Sequence, residues 1–247
     1  MLDVRLTTVT GKTYRLTGTD TTSQVLAPEE AFTALVATSN RSDIAVPGRS
    51  GTIPGVGRYA PIQVDIPFYI HADNGDEMEA IYKEFRQGWN VWKPGGRAKP
   101  CTLAVLADHP EGEFYLDLYA DQPLPGVPVD MRRRTSTTIT VKGFAPLGLF
   151  HSKVHTATGA FTITNTGDEF IYPKLRYSGA GGQVTSPSGA TYTLPAAATS
   201  TLIDTDPQEL RLDGAFPEGV APGKSGTWRL PTGVTAEWSV LVADPWA

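Results

Sequence analysis

Cysteine is nearly absent: Cys101 is the single one among 247 residues. One cysteine excludes an intramolecular disulfide and a cysteine-rich zinc site. Because free cysteine is usually a small, inert core residue, we expect Cys101 to be buried and unreactive. A chain of this length can bury a core large enough to fold without a disulfide or a metal.

Long apolar runs are missing as well. No stretch approaches the roughly 18 apolar residues of a membrane-spanning helix. The first six residues, Met-Leu-Asp-Val-Arg-Leu, are typical of a strand and lack the basic and apolar regions of a signal peptide. We therefore expect no membrane insertion and a protein that stays in the cytosol unless another process carries it out.

Charged residues make up 19% of the chain and give a net charge of −5, which argues against a dedicated nucleic-acid binder. Catalytic motifs are also lacking, since no Gly-x-Ser-x-Gly, His-Glu-x-x-His or phosphate-binding loop occurs. His151 and His155 lack a third ligand in register for zinc. No pair among the many carboxylates stands out as a glycosidase pair. We expect no enzyme activity, no metal and no cofactor.

Glycine and proline are abundant, at 25 and 20 residues, and indicate a turn-rich, mainly β protein. One convincing helix is predicted from Asp76 to Gly88, capped by Asp73 or Asn74, with Gly88 as a left-handed C-terminal cap. Its apolar residues recur at helical spacing and form one stripe for a sheet: Met78, Ile81, Tyr82, Phe85 and Trp89.

Strands are predicted before and after this helix. In the first half they are a hairpin turning at Gly11, a strand at Pro61–Ile70, and strands at 101–108, 113–121 and 134–145. Pro28-Glu29-Glu30 could begin a short helix, but a strand at Phe32–Thr38 is favoured for this region. Pro146-Leu147-Gly148 is the favoured boundary, giving domains 1–146 and 147–247. In the second domain short strands recur about every ten residues, as in a β-sandwich, with a strand at Glu209–Leu212 and a small-residue loop at Ala196–Thr201.

The stretch from Phe161 to Leu175 carries the most information. Phe161 and Ile163 alternate with threonines as in a half-buried strand. Asn165, Gly167 and Asp168 then supply the chemistry of a turn. Pro173 follows in a second strand, where it indicates a sheet edge or a bulge.

This succession resembles the C-terminal half of the siphophage distal tail proteins. The resemblance extends over most of the chain through short motifs in the same order: Pro47-Gly48-Arg49-Ser50-Gly51, the strand at 61–70, the single helix, Ile163-x-Asn165-x-Gly167-Asp168, Ile203-Asp204-Thr205 and Gly233-x-x-x-Glu237-Trp238. It implies an N-terminal belt domain that forms a ring and a C-terminal galectin-like β-sandwich.

The resemblance also implies a structural role. Such proteins form a hexameric ring at the tip of a long non-contractile tail, where they join the tail tube and the tape-measure end to the tail-tip hub. The predicted localisation is therefore the virion, after assembly in the host cytoplasm. Candidate ring-interface residues are Arg49 and Gly51 in the glycine-rich loop, and Arg132, Arg133 and Arg134, whose arginine forks suit carboxylates of a neighbouring subunit.

Two alternatives stay open. A glycan-binding β-sandwich acting in host adsorption needs exposed aromatic residues, for which Trp92 and Trp228 are the candidates. The galectin sugar motif needs Glu and Arg at fixed offsets after a tryptophan, whereas Arg229-Leu230-Pro231-Thr232 follow Trp228. A hydrolase with an unrecognised carboxylate pair is the other alternative. The basic run 132–134 equally fits a solvated strand entrance.

Overall fold

The structure is a computed structural model, and it describes residues 3–18, 22–45, 47–48, 50–55, 57–89, 99–127 and 129–247. The chain divides into two compact units. Unit 1 comprises residues 1–150 and 243–247, and unit 2 comprises residues 151–242. Both consist mainly of strands, so the predicted mainly β fold is confirmed.

Unit 1 contains the long helix α1, Gly75–Gly88, and the first twelve strands of the described chain, except that His151 of the twelfth strand begins unit 2. The strands are β1 (Val4–Thr7), β2 (Thr13–Arg15), β3 (Val25–Leu26), β4 (Ser39–Arg41), β5 (Ile44–Ala45), β6 (Thr52–Ile53), β7 (Gly57–Tyr59), β8 (Ile62–His71), β9 (Cys101–Leu106), β10 (Glu113–Ala120), β11 (Ser136–Ala145) and β12 (Phe150–His151). Short 3-10 helices lie at Glu29–Phe32 and Met131–Arg133.

The main sheet of unit 1 has the strand order β2-β1-β9-β10-β11-β8-β3, with antiparallel neighbours. In β8 the side chains alternate, so that Ile62, Val64, Ile66 and Phe68 are buried, as predicted. Pro67 is tolerated inside β8 because β3 pairs only with Tyr69 and Ile70, which leaves the Pro67 position free of a partner on that side.

Helix α1 covers this sheet with its apolar stripe. Asn74 caps the helix by accepting a hydrogen bond from the Glu77 amide at 3.0 Å. The predicted stripe is confirmed, because all five of its residues are at most 6% exposed: Met78, Ile81, Tyr82, Phe85 and Trp89. Cys101 is buried beneath the helix end, where its thiol donates to the Gly88 carbonyl at 3.4 Å. Burial raises the pKa of this thiol to about 12, so it is not a nucleophile at neutral pH.

Gly88 has a different role from the predicted one. The helix continues through this residue and its φ is not positive, so the prediction of a left-handed cap is wrong. A Cβ at Gly88 would lie 2.7 Å from Cβ and Cγ2 of Thr8. The Gly88 carbonyl also accepts a hydrogen bond from the Val9 amide at 3.1 Å. Glycine is required here because the helix end and the β1–β2 hairpin approach each other closely.

Unit 2 consists of two four-stranded antiparallel sheets. One has the order β13 (His155–Thr158), β20 (Val234–Trp238), β15 (Lys174–Gly179), β18 (Ala197–Asp204); the other has the order β14 (Ala160–Thr164), β19 (Ser225–Arg229), β16 (Gly182–Thr185), β17 (Thr191–Leu194). The short strand β21, Leu241–Val242, follows β20. Phe161 of β14 stacks on Trp228 of its own sheet and on Trp238 of the other, so the two sheets face each other as a sandwich.

The turn after β14 is organised by Asn165, which is 1% exposed. Its amide nitrogen donates to the carbonyls of Glu169 at 2.8 Å and Val220 at 2.7 Å. Its side-chain oxygen accepts from the Gly167 amide at 2.9 Å. A fully satisfied buried amide therefore joins this turn to the loop before β19, and this explains why asparagine follows the alternating strand.

The structure places the domain limits differently from the predicted domains 1–146 and 147–247. The division falls after Phe150, and Ala243–Ala247 belongs to unit 1. The Ala37 amide donates to the Ala243 carbonyl at 2.9 Å, and the rings of Phe150 and Trp246 lie 6.1 Å apart. Unit 2 is thus an insertion between two segments of unit 1, which the sequence pattern did not reveal.

Other local predictions need correction. Phe32–Thr38 is not a strand, because the 3-10 helix is followed by a turn in which the Leu35 amide donates to the Phe32 carbonyl. Glu209–Leu212 is not a strand either, since the Asp206 side chain and carbonyl accept from the amides that follow. Ala196–Thr201 is not a loop, because residues 197–201 lie in β18. The strand was missed because its small, mostly exposed residues do not alternate between apolar and polar side chains. Pro173 directly precedes β15 rather than lying within it.

We expect Gly88→Ala to destabilise the protein by about 1–3 kcal/mol, because the added methyl group overlaps Thr8. In an ordinary helix the same change is stabilising, so the sign is diagnostic. Chemical denaturation measures the free energy of unfolding. Gln87→Ala, at an exposed helix position, is the control and is expected to stay within about 0.5 kcal/mol of the parent protein. An unchanged or raised stability of Gly88→Ala contradicts the close approach.

Replacing Asn165 by Ala is expected to cost about 1–3 kcal/mol, because the Glu169 and Val220 carbonyls each lose a hydrogen bond and the Gly167 amide loses its acceptor. Asn165→Asp, which keeps the shape but removes the two N–H donors, is expected to be destabilising too. The readout is the free energy of unfolding of unit 2, followed by tryptophan fluorescence. Gln183→Ala, at an exposed position of unit 2, serves as the control, and equal stability of all variants would contradict this role of Asn165.

Candidate assembly interface

The described residues from Thr38 to Ala60 form a hairpin, called the arm here. Its two ladders are β4 with β7 and β5 with β6, and at its base the Ala60 amide donates to the Thr38 carbonyl at 2.8 Å. Gly48 and Gly51 in its turn region have φ of +78° and +87°, a conformation that favours glycine. All strand residues of the arm except Tyr59 are exposed, so the arm is held by its backbone pairing rather than by a core.

An apolar patch lies on one face of the arm. Ile44 and Ile53 are directly opposed across the β5–β6 ladder, so their side chains lie side by side. They are 63% and 55% exposed. Complete burial of one such side chain is worth roughly 1.5–3 kcal/mol, so this pair is a favourable contact surface for another molecule.

Asp43 stiffens the arm between its two ladders. Its carboxylate accepts from Nε and Nη2 of Arg41 at 2.5 and 2.9 Å, and from the Gly55 amide at 3.0 Å. The hydrogen bonds from Arg41, followed by that from Gly55, lower the pKa of this carboxyl group. Gly55 is needed opposite, because a Cβ there would lie 1.9 Å from the Ser42 carbonyl oxygen. The contact surface is therefore partly preorganised.

A second surface of unit 1 is a groove between α1 and residues 120–131, with a volume of about 640 Å³. Val127 and Val129 on its wall are 54% and 37% exposed, whereas Tyr82 of α1 and Trp89, the residue after α1, are buried beneath it. Two contacts hold the walls together. Arg86 Nη1 donates to the Pro125 carbonyl at 2.5 Å, and Arg132 Nε donates to Glu79 Oε2 at 2.5 Å. The groove is thus a preformed apolar depression with a charged rim.

The predicted interface residues lie on two separate elements. Gly51 lies in the turn region of the arm, and Arg49 lies outside the described residues. Arg132 is exposed and pairs with Glu79, with Asp76 at 3.9 Å, so it joins the second 3-10 helix to the first turn of α1. Arg133 and Arg134 are exposed, and within the described part of the chain no carboxylate lies within 4.0 Å of either. Their role in a ring interface stays a prediction.

Sequence reasoning missed the isoleucine pair and the groove. The signal for the pair was weak, because β5 and β6 have two residues each and are exposed on both faces. β-branched residues on both sides of the Gly-Pro-rich turn at 47–51 would have indicated a hairpin. The groove depends on how residues 120–127 and 129–131 lie along α1. The spacing of apolar residues in the sequence does not indicate this arrangement.

The residues considered for other chemistry have structural roles or lie outside the described chain. Trp228 is 1% exposed in the sandwich core, so it offers no surface for a sugar, and Trp92 falls outside the described residues. Among the described residues no three His, Cys, Asp or Glu side chains converge as metal ligands do. No helix in that part of the chain has the length and apolar character needed to cross a membrane.

Comparison with known proteins finds similarity in structure only. No protein-family model and no curated protein sequence matches the chain. The fold matches the Dit protein of phage SPP1, described as a paradigm of the hub adsorption apparatus of phages that infect Gram-positive bacteria, with a TM-score of 0.54 and 11% identity over 98% of this chain and 99% of that one.

The fold also matches a chain of the phage P2 baseplate in its activated conformation. With calcium the TM-score is 0.58 at 10% identity, and with strontium it is 0.56 at 11% identity. Both matches cover 100% of both chains. The resemblance expected from the sequence is confirmed. At sequence identities of 10–11%, these matches show a similar fold.

We expect Asp43→Asn to loosen the arm without unfolding unit 1, because Asp43 pairs only within this exposed hairpin. Hydrogen exchange of the arm amides, the Gly55 amide above all, is expected to become faster while the melting temperature stays unchanged. Since the folded-state pKa is lowered, this contact is present above the ordinary Asp pKa and is lost as pH falls through the folded-state value. Unchanged hydrogen exchange of the arm amides in Asp43→Asn would rule out that Asp43 stiffens the arm. Asp65→Asn, at an exposed position in β8, is the control.

Proposed function

We propose that this chain is a structural virion protein at the distal end of a long non-contractile phage tail. In this role six copies form a ring that joins the tail tube and the tape-measure C-terminus to the tail-tip hub. The chain is assembled in the host cytoplasm and ends up in the virion. It needs no cofactor and, on this proposal, catalyses no reaction.

The observation that carries the proposal is the full-length match to chains of two phage adsorption assemblies. The match includes both units at TM-scores of 0.54–0.58, with 98–100% of each chain aligned. A common β-sandwich alone would match one unit and say little about function. A match over both units and their order supports a common tail-tip role far more strongly.

The surface of unit 1 suits self-assembly. The arm presents Ile44 and Ile53 to solvent, and the groove presents Val127 and Val129. These are different surfaces of one chain, so a contact between them is heterologous and generates a ring when the rotation closes. The number of six subunits and the identity of the tube, tape-measure and hub partners come from the resemblance to distal tail proteins.

Glycan binding in host adsorption is the weaker alternative. It relied on exposed tryptophans, and Trp228 is buried against Phe161 instead. The sequence after Trp228 also departs from the galectin sugar motif. We therefore assign unit 2, which is galectin-like on this proposal, a structural position at the ring periphery rather than a receptor-binding role.

The test is the solution mass of the purified chain over a concentration series, measured by light scattering and followed by negative-stain microscopy. Six chains of 26.5 kDa give a ring of about 159 kDa, and we expect this species at the highest concentrations. Immunogold labelling of phage particles that encode the chain is expected at the tail tip. Particles that lack the chain, or label on the head, would contradict the proposal.

A further inference from the structure

We propose that unit 2 carries a docking surface for an arginine-rich segment of another protein. The surface consists of the aromatic side chains of Phe170, Tyr172 and Phe216 together with the acidic segments 168–174 and 204–219, and it is called the acidic aromatic surface here. All of these residues belong to unit 2. The inference therefore goes beyond the proposed function and does not depend on a ring.

Exposed aromatic rings form the centre of this surface. Phe170 is 44% exposed, and its ring stacks on that of the half-buried Tyr172 with centroids 6.1 Å apart. Ile171 between them is 2% exposed. Phe216 is 72% exposed, the largest fraction among the large apolar side chains of the described residues. Exposed aromatic groups of this kind mark a site of interaction with another molecule.

The loop before β19 brings Phe216 close to the stacked pair. A Cβ at Gly219 would lie 2.7 Å from Cε1 of Tyr172, so the backbone of this loop passes against the Tyr172 ring. Three residues of extended chain span at most about 11 Å, which limits how far Phe216 can lie from Gly219. The three aromatic residues therefore share one part of the unit 2 surface.

This loop is fixed within unit 2 itself. The Glu218 carboxylate accepts hydrogen bonds from the hydroxyls of Ser186 and Ser188, both at 2.6 Å, and from the Ser188 amide at 3.0 Å. The Val220 amide donates to the Ile171 carbonyl at 2.9 Å. Less ordering of the loop is then required when a partner binds, which strengthens binding without additional contact area.

The net negative charge of the chain is concentrated in the two acidic segments. Residues 168–174 and 204–219 contain seven acidic and two basic residues, a net charge of −5. The remaining residues contain nineteen of each sign and are neutral together. Two of the carboxylates lie near the aromatic rings, because burial, followed by the charges of Asp206 and Glu169, raises the pKa of Tyr172.

Aromatic rings among carboxylates favour arginine as the group that is bound. A guanidinium group stacks on aromatic faces and pairs with carboxylates, whereas the ammonium group of lysine is more strongly hydrated. The negative charge repels nucleic acids and anionic lipid surfaces. Two copies of the surface repel each other, and the rest of a second copy is neutral. Charge complementarity therefore selects a basic segment of another protein as the occupant.

A fluorescently labelled hexaarginine peptide tests the role of the aromatic residues, with fluorescence anisotropy as the readout and the full chain as the protein. Phe170→Ala/Phe216→Ala leaves the charge unchanged, and we expect it to weaken binding at least about fivefold because the stacking faces are lost. Leu106→Ala/Leu147→Ala, at exposed apolar positions of unit 1, is the control and should bind like the parent protein.

A second variant tests the role of the carboxylates. Glu169→Gln/Asp206→Asn is expected to weaken binding at least about fivefold at low salt, and the difference from the parent protein should shrink as salt is added. Asp65→Asn/Asp121→Asn removes the same net charge from exposed positions of unit 1 and is the control. Hexalysine should bind more weakly than hexaarginine, and hexaglutamate should not bind. Thermal melting of each variant shows whether it is folded.

The outcomes decide the inference independently of the ring. Binding that weakens in both surface variants and persists in both controls supports it. Equal binding by Phe170→Ala/Phe216→Ala and the parent protein, or equal binding of hexalysine and hexaarginine, would show non-specific attraction and overturn it. Absence of hexaarginine binding at about 1 mM peptide also overturns it. A saccharide bound on a glycan array in that case would assign the surface to a sugar instead. The ring proposal is decided separately, by solution mass and immunogold labelling.

Discussion

Phe68 of β8 packs against Phe85 and Trp89 of α1, with ring centroids 5.1 and 5.8 Å apart, and Tyr14 of the β1–β2 hairpin approaches Phe85 at 6.0 Å. The position of α1 on the sheet depends on these aromatic contacts. Burial of four large side chains supplies the attraction, and tilted or edge geometry adds about 0.5–1.5 kcal/mol per pair. Because one side of the groove is α1 itself, this cluster also sets the floor and width of the candidate interface.

The parts of the fold that the sequence predicted are those in which one face is buried. The stripe of α1, the alternation in β8 and the pair Phe161 and Ile163 in β14 all have a periodicity that burial imposes. Where both faces are exposed no such pattern arises, and the arm and the first part of β18 escaped prediction for this reason. Gly88 shows another limit, because its requirement comes from Thr8, 80 residues away in sequence.

The candidate site was predictable only in part for the same physical reason. Glycine chemistry marked the turn that contains Gly51, and the basic run marked the edge of α1. The apolar residues that would make the contact, Ile44 and Val129 among them, are isolated in sequence. They become a surface only through strand pairing and through the path of the chain before and after Val129. An assembly surface of this type is solvated in the single chain, so it leaves no burial pattern to read.

The insertion of unit 2 between Phe150 and Ala243 has a consequence for synthesis. Residues 1–150 leave the ribosome before unit 2 has been synthesised. At that stage the Ala37 amide still lacks the Ala243 carbonyl that it binds in the folded protein, and the Phe150 ring lacks its contact with Trp246. Unit 1 is therefore completed by contacts between its first segment and residues that are translated after unit 2, across more than 90 intervening residues. Such distant pairing is slow to form. Chains interrupted before residue 243 therefore lack both of these contacts of unit 1.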